Sequence, residues 1–323
     1  MYPIIDLHCD TIMALYQNKD KELISNDLQI DLIKMKKGNY LAQTFAMFVF
    51  YKVENPFQTC NEMIDLFYHE LDKNNDKIKL ALSKDEILSN HEKGYLNAIL
   101  SIEEGGVIGS NLDNINHFYN RGVRMICLNW NFINGIGHPN FSYYLDGKPD
   151  FKTPNTTQGL TEFGIKVVKR MEELGMIIDV SHLSDKGFWD VYNNTTKPFI
   201  ASHSNARSVC NHVRNLTDEM IKALSSRGGV IGLNFATDFI NDNEKITYVK
   251  DIVKHALHII EVGGIDCLSI GTDFDGIDRT TEIDNASMMP ILVDALLESG
   301  LTEEDGEKIC YKNFLRVFEK VVG

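Results

Sequence analysis

What the chain lacks narrows its class before any motif is read. No stretch approaches the ~20 consecutive apolar residues that a membrane-spanning helix requires. The first apolar run is broken by Asp6, His8 and Asp10, so it does not read as a leader, and "VFEKVVG" at the end reads as a helix end and not as an anchor signal. Neither secretion nor membrane attachment is expected. Basic residues are in deficit: 32 lysines and arginines stand against 46 aspartates and glutamates, a net charge of −14 that opposes nucleic acid and anionic lipid. The cysteines at 9, 60, 127, 210, 267 and 310 include no C-x-x-C pair, and Cys9, Cys127, Cys210 and Cys267 lie in or beside apolar runs. That pattern suits reduced, buried thiols and excludes a disulfide framework or zinc knuckle. With no linker, low-complexity tract or break in composition, residues 1–323 read as a single domain of an acidic, cytoplasmic enzyme.

What is there is a repeating apolar pattern. Runs at 3–8, 42–50, 96–104, 123–130, 175–182, 198–204, 228–235 and 267–274 are nearly continuous in apolar residues, as strands buried on both faces are. Between them, 160–175, 217–229 and 246–264 have helical spacing, and the succession of helix, glycine, apolar strand recurs at Gly122, Gly175, Gly228 and Gly263. Eight strands alternating with helices predict an α/β fold of the (β/α)8 TIM-barrel type. The competing doubly wound sheet is disfavoured because no G-x-G-x-x-G follows the first run. Segment 131–158, with Phe141, Tyr143, Tyr144 and Phe151, is too long for a plain connection and is read as a substrate-covering loop.

In a parallel barrel the C-terminal strand ends converge on one face. Here they carry His8 and Asp10, Glu103 and Glu104, Asn129, His182, His203, Asn234 and Asp273. Each residue alone could be a hydrogen-bonded strand end. Together they suggest a metal, because one cation satisfies groups that would otherwise each need a separate partner. Two side chains separated by one residue point to the same side of a strand, so His8 and Asp10 can reach one ion, and nitrogen plus carboxylate ligands suit zinc or a neighbouring first-row metal. So many ligands favour two ions sharing a carboxylate. His69, His91, His117, His255 and His258 fall in helical or polar segments and read as surface residues.

The motifs "DLHCDT", "EEGG", "DVSH", "SHSNARSVCNHVRN" and "GTDFDG", spread in this order over residues 6 to 276, resemble the membrane (renal) dipeptidase family of zinc peptidases, within the amidohydrolase-like barrels. The resemblance implies two Zn²⁺ per chain, one on His8 and Asp10, the other on His182 and His203. Spacing does not choose between Glu103 and Glu104 as the bridging carboxylate; the family motif selects Glu104. By the same resemblance Arg214 holds the substrate's C-terminal carboxylate, Asp273 is the catalytic acid/base, and Asp275 is a supporting carboxylate. The implied reaction is hydrolysis of dipeptides, extending to L,D-dipeptides, by a homodimer.

One stretch departs from the family. The mammalian kidney enzyme has a substrate-binding histidine after the fourth strand, whereas this chain reads "LNWNFINGIGH", with Trp130 at the aligned position. Asn129, Trp130 and, further along, His138 are the residues able to donate a hydrogen bond there. Two other readings follow: an amidohydrolase-type enzyme for a non-peptide substrate, or a non-catalytic metal-dependent binding protein.

Overall fold

The structure, a computed structural model, describes residues 2–50, 52–143, 147–242 and 245–323. In chain order the strands are β1 (Ile4–Cys9), β2 (Tyr40–Phe48), β3 (Ile78–Leu80), β4 (Leu96–Glu103), β5 (Val123–Cys127), β6 (Ser142–Tyr143), β7 (Pro149–Asp150), β8 (Ile177–Asp179), β9 (Ile231–Leu233) and β10 (Leu268–Ile270). One parallel sheet runs β8-β5-β4-β2-β1-β10-β9, with β3 beside the start of β4. The two ends of that row meet through residues 200 and 201, because Ile200 bridges Asp179 of β8 and Ala201 bridges Ile231 of β9. The ring closes, and the fold is the expected (β/α)8 barrel.

The expected strand at 198–204 survives only as those bridges. Beyond Ala201 its backbone alternates between side chains and the ladder: the Ser202 N–H donates to Asp179 Oδ1 at 2.9 Å, whereas the Ser204 N–H donates to the Gly232 carbonyl of β9 at 2.8 Å. The helices follow their capping signals. Thr161 accepts from the Gly164 N–H to start Glu162–Leu174, which stops at Gly175 with φ 75°. Thr217 does the same for Asp218–Ser226. In Val249–Gly263 the left-handed turn falls on Gly264, φ 83°, with Gly263 still helical. Only glycine adopts that region at little cost. No helix among the described residues is long and apolar enough to cross a membrane.

His255 corrects the surface reading. It is fully buried, with Nε2 3.0 Å from the Ile240 carbonyl and Nδ1 accepting from the Ala206 N–H at 3.2 Å. Burial pushes its pKa down to about 4, so it is a neutral strut. Ile252 and Ile259, both buried, share its helix face. All six cysteines are free and buried. Away from the strand ends that carry the polar residues, Ile5, Leu41, Ile99, Ile177 and Val230 form an apolar cluster closed by Phe314, Val317, Phe318 and Val321 of the last helix, Asn313–Val321.

Candidate active site

The end of β1 brings His8 and Asp10 into a buried position, with His8 Nε2 3.4 Å from Asp10 Oδ2 and 3.4 Å from Glu103 Oε2. Neither approach is a hydrogen bond, and both His8 Nε2 and Asp10 Oδ1 are buried with no hydrogen-bond partner. Burial opposes charge on His8, yet Glu103 and Asp10 outweigh it and hold its pKa well above the usual imidazole value. Gly276 makes room here: a Cβ on it would lie 2.1 Å from Asp10 Oδ2 and 2.7 Å from Asp273 Oδ1.

At the end of β4 the structure reverses the expectation for the glutamate pair. Glu103, still on the strand, points among the histidines: Oε1 is 3.0 Å from His182 Nε2 and 3.5 Å from His203 Nε2, while Oε2 faces His8. Glu104 has left-handed backbone, φ 80°, which turns its side chain out of the cluster. Its carboxylate accepts from the Trp130 N–H at 2.7 Å, the Gly106 N–H at 2.9 Å and Asn134 Nδ2 at 2.6 Å. Glu104 therefore ties the loop after β5 to β4, and Glu103 is the glutamate that faces the histidines. The second glycine of "EEGG" permits this, because a Cβ on Gly106 would sit 2.2 Å from Glu104 Oε1. Burial raises the Glu103 pKa to about 8, against His8, which lowers it.

His182 and His203 meet at their Nε2 atoms, 3.0 Å apart. Their other nitrogens are committed. His182 Nδ1–H donates to Asn131 Oδ1 at 2.8 Å. Ser202 Oγ donates to Asp179 Oδ2 and therefore accepts from His203 Nδ1–H at 2.7 Å. Both rings thus present Nε2 lone pairs towards a carboxylate oxygen, an arrangement that a cation between them would satisfy. Burial, reinforced by Arg214 and His8, pushes both imidazoles well below the usual value, and the neutral form is the one that ligates metal. Asn131, Asp179 and Ser202 were not singled out for these roles in the sequence.

Asp273 follows β10 with φ 62°; Oδ2 accepts from Asn234 Nδ2 at 2.8 Å and Oδ1 lies 3.9 Å from His8 Nε2. Burial raises its pKa to about 6, with His8 pulling the other way. Asp275 accepts from Thr11 Oγ1 at 2.6 Å and the Gln29 N–H at 2.6 Å, a supporting role. Arg214 is buried beside the cluster: Nη2 donates to the His203 carbonyl at 3.2 Å, Nε has no partner, and no carboxylate among the described residues pairs with it. A buried guanidinium so placed is open to an anion from outside.

One expectation near Trp130 fails. Asn129 is fully buried and spends Nδ2 on the Phe132 and Gly137 carbonyls at 3.3 and 3.0 Å, so it shapes the loop and does not face substrate. His138 Nδ1 is committed to the Gly159 carbonyl at 2.9 Å, and the residue borders the same cavity as Asn131. Trp130 does border the site, its ring 5.9 Å from that of His182. The 131–158 loop carries the small β6–β7 pair; Tyr144 lies outside the described residues.

The donor set of His8, Asp10, Glu103, His182 and His203 fits a divalent cation: nitrogen and oxygen only, buried, with orphaned atoms at His8 and Asp10. Two groups, His8–Glu103–His203 and His8–Asp10–Asp273, hold ligand atoms within 4.8 Å of one another.

The family model described as membrane dipeptidase (peptidase family M19) matches residues 1–322. A Klebsiella pneumoniae protein from the pqqA 5′ region is 35% identical over 76% of this chain and 89% of its own. A Schizosaccharomyces pombe protein named as an uncharacterized dipeptidase is 31% identical over 90% of this chain and 71% of its own. A Rhodobacter sphaeroides metallopeptidase crystallised with a phosphinate mimic of the dipeptide L-Ala-D-Ala superposes with TM-score 0.91 at 26% identity, over 99% of each chain.

Proposed function

Since the chain belongs to the membrane dipeptidase family, peptidase family M19, and is a metal-dependent dipeptidase, we propose that it works with two zinc ions, one held by His8 and Asp10, the other by His182 and His203, with Glu103 between them. The observation that carries this reading is the Glu103 carboxylate, whose Oε2 faces His8 and whose Oε1 faces His182 and His203. Bound there, zinc supplies a Lewis acid for the peptide carbonyl and makes a water molecule more acidic.

The chain's own residues do the rest. Arg214 takes the free carboxylate of the second residue in a bidentate pair, and a peptide continuing past that residue offers an amide instead, so the site admits dipeptides and rejects longer chains. Asp273, steadied by Asn234, accepts a proton from the attacking water and delivers it to the departing amine, which leaves poorly as an anion. The ligand of the Rhodobacter relative supports a D-residue at the second position. Free, buried cysteines support a reducing, cytoplasmic setting; the homodimer rests on family resemblance alone.

The test is release of amino acids from paired L,L- and L,D-dipeptides and a tripeptide control, using zinc-loaded protein with and without chelator. Cleavage confined to dipeptides and abolished by chelator is expected. Turnover of tripeptides at dipeptide rates would remove the Arg214 gate, and no dipeptide cleavage by a two-zinc sample would turn the reading towards a non-peptide substrate.

A further inference from the structure

The site is asymmetric in a way the reaction itself does not require. Arg214 bonds the backbone of His203, the His203 ring lies 5.1 Å from that of His182, and His182 lies 5.9 Å from Trp130. Charge marks one end of this row and aromatic surface the other. Trp130 packs at 5.1 Å from Phe48, 5.7 Å from Phe132 and 6.1 Å from Phe50, and Phe50 meets Phe132 edge-on at 6.1 Å. Four rings from the ends of β2 and β5 thus form a corner beside the metal ligands.

That corner is open. Phe50 is 39% exposed and Ile133, next to Phe132, is 66% exposed. Phe132 and Ile133 also border a cavity of about 740 Å³ that reaches Asn131, the residue holding His182. Large apolar side chains that keep this much exposed surface at the rim of an otherwise charged site favour contact with an apolar ligand over contact with water.

We infer that Trp130, Phe48, Phe50 and Phe132 form the subsite for the side chain of the dipeptide's first residue, and that they select large apolar or aromatic residues there. The inference rests on the dipeptidase reading. A two-residue substrate anchored by its carboxylate at Arg214 places its peptide bond over His203 and His182, so its first residue comes to lie against Trp130. The indole then has a role of its own at the position where the kidney enzyme has histidine: it grips a side chain. Ring–ring and ring–aliphatic contact favours Phe and Leu there. An aspartate or glutamate would lose hydration against this apolar surface.

The experiment measures kcat/KM of the zinc-loaded full chain for Gly-Ala, Leu-Ala, Phe-Ala and Asp-Ala, in wild type, Trp130→Ala and Phe50→Ser. Wild type is expected to prefer Phe-Ala and Leu-Ala over Gly-Ala and Asp-Ala by about 10-fold or more, mainly through KM. Trp130→Ala should bring the Phe/Gly ratio to within about threefold. Phe50→Ser, at a half-exposed position that threatens folding least, should reduce the ratio less and keeps the test informative if the Trp130 variant is unstable. Equal kcat/KM across the four dipeptides, or a ratio unmoved in both variants, would overturn the subsite while leaving the dipeptidase reading in place. Absence of turnover on all four would instead remove that reading, and the subsite with it.

Discussion

The two ends of this barrel are made from the same strands and are built on opposite principles. At the C-terminal end, Glu104, His182, Asp273 and Asp275 all have left-handed backbone, and buried carboxylates and imidazoles crowd together without full pairing. At the other end the Phe314 and Phe318 helix seals an apolar cluster, and Asn39, of a residue type that tolerates the region, is the one described non-glycine residue with positive φ. Strain and desolvation are concentrated where chemistry is to occur, and well-packed apolar surface elsewhere offsets them. Substitutions at the first end should therefore change reaction and metal binding, and those at the second should change stability alone.

The largest effect expected on this basis is at Asp273. Asp273→Asn keeps size and the Asn234 neighbour but cannot take a proton, so kcat should fall by about 10²–10⁴-fold with KM little changed; steady-state kinetics on a cleaved dipeptide decides it. A loss confined to KM would blur the division by making Asp273 a binding group. Phe318→Ala, at the far end, should instead lower unfolding stability by about 3–5 kcal/mol, seen in denaturant titration, with kcat of the folded protein preserved. A large fall in kcat there would show that the two ends are coupled.

A smaller effect sharpens the contrast at Glu104. Burial raises this carboxyl to about 7, while the Trp130 and Gly106 N–H groups and Asn134 pull it down. Its folded pKa exceeds the ordinary 4.5 of a glutamate, so the folded chain binds the extra proton between those values. Its contribution is present at low pH and is lost as pH rises through about 7. The stability of wild type relative to Glu104→Gln should therefore decline across that window by up to about 3 kcal/mol. Parallel pH–stability curves for the two proteins would contradict it.

The barrel and much of the site were legible in the sequence because each chemistry-bearing residue closes an apolar run. His8, Asp10, His182, His203 and Asp273 could be placed on one face from strand direction alone, and Arg214 came from the surrounding motif. The glutamate pair could not be resolved this way. Both residues follow the same run, and a single backbone angle, φ 80° at Glu104, decides which one faces inward. Asn129 misled because a strand-end amide serves a loop as readily as a substrate. Asp179 had a usable signal, a carboxylate inside the apolar "GMIIDVSH" run, but its partner Ser202 is of a type too common to stand out. His255 was readable from helical spacing, since it shares a face with Ile252 and Ile259.

The central claim is that Glu103, and not its neighbour, joins the two halves of the metal site. Metal content per chain, measured by elemental analysis after zinc loading and gel filtration of wild type, Glu103→Gln and Glu104→Gln, tests it most directly. The account predicts two zincs in wild type and in Glu104→Gln, and fewer than two in Glu103→Gln. Retention of both ions by Glu103→Gln, with their loss from Glu104→Gln, would contradict it.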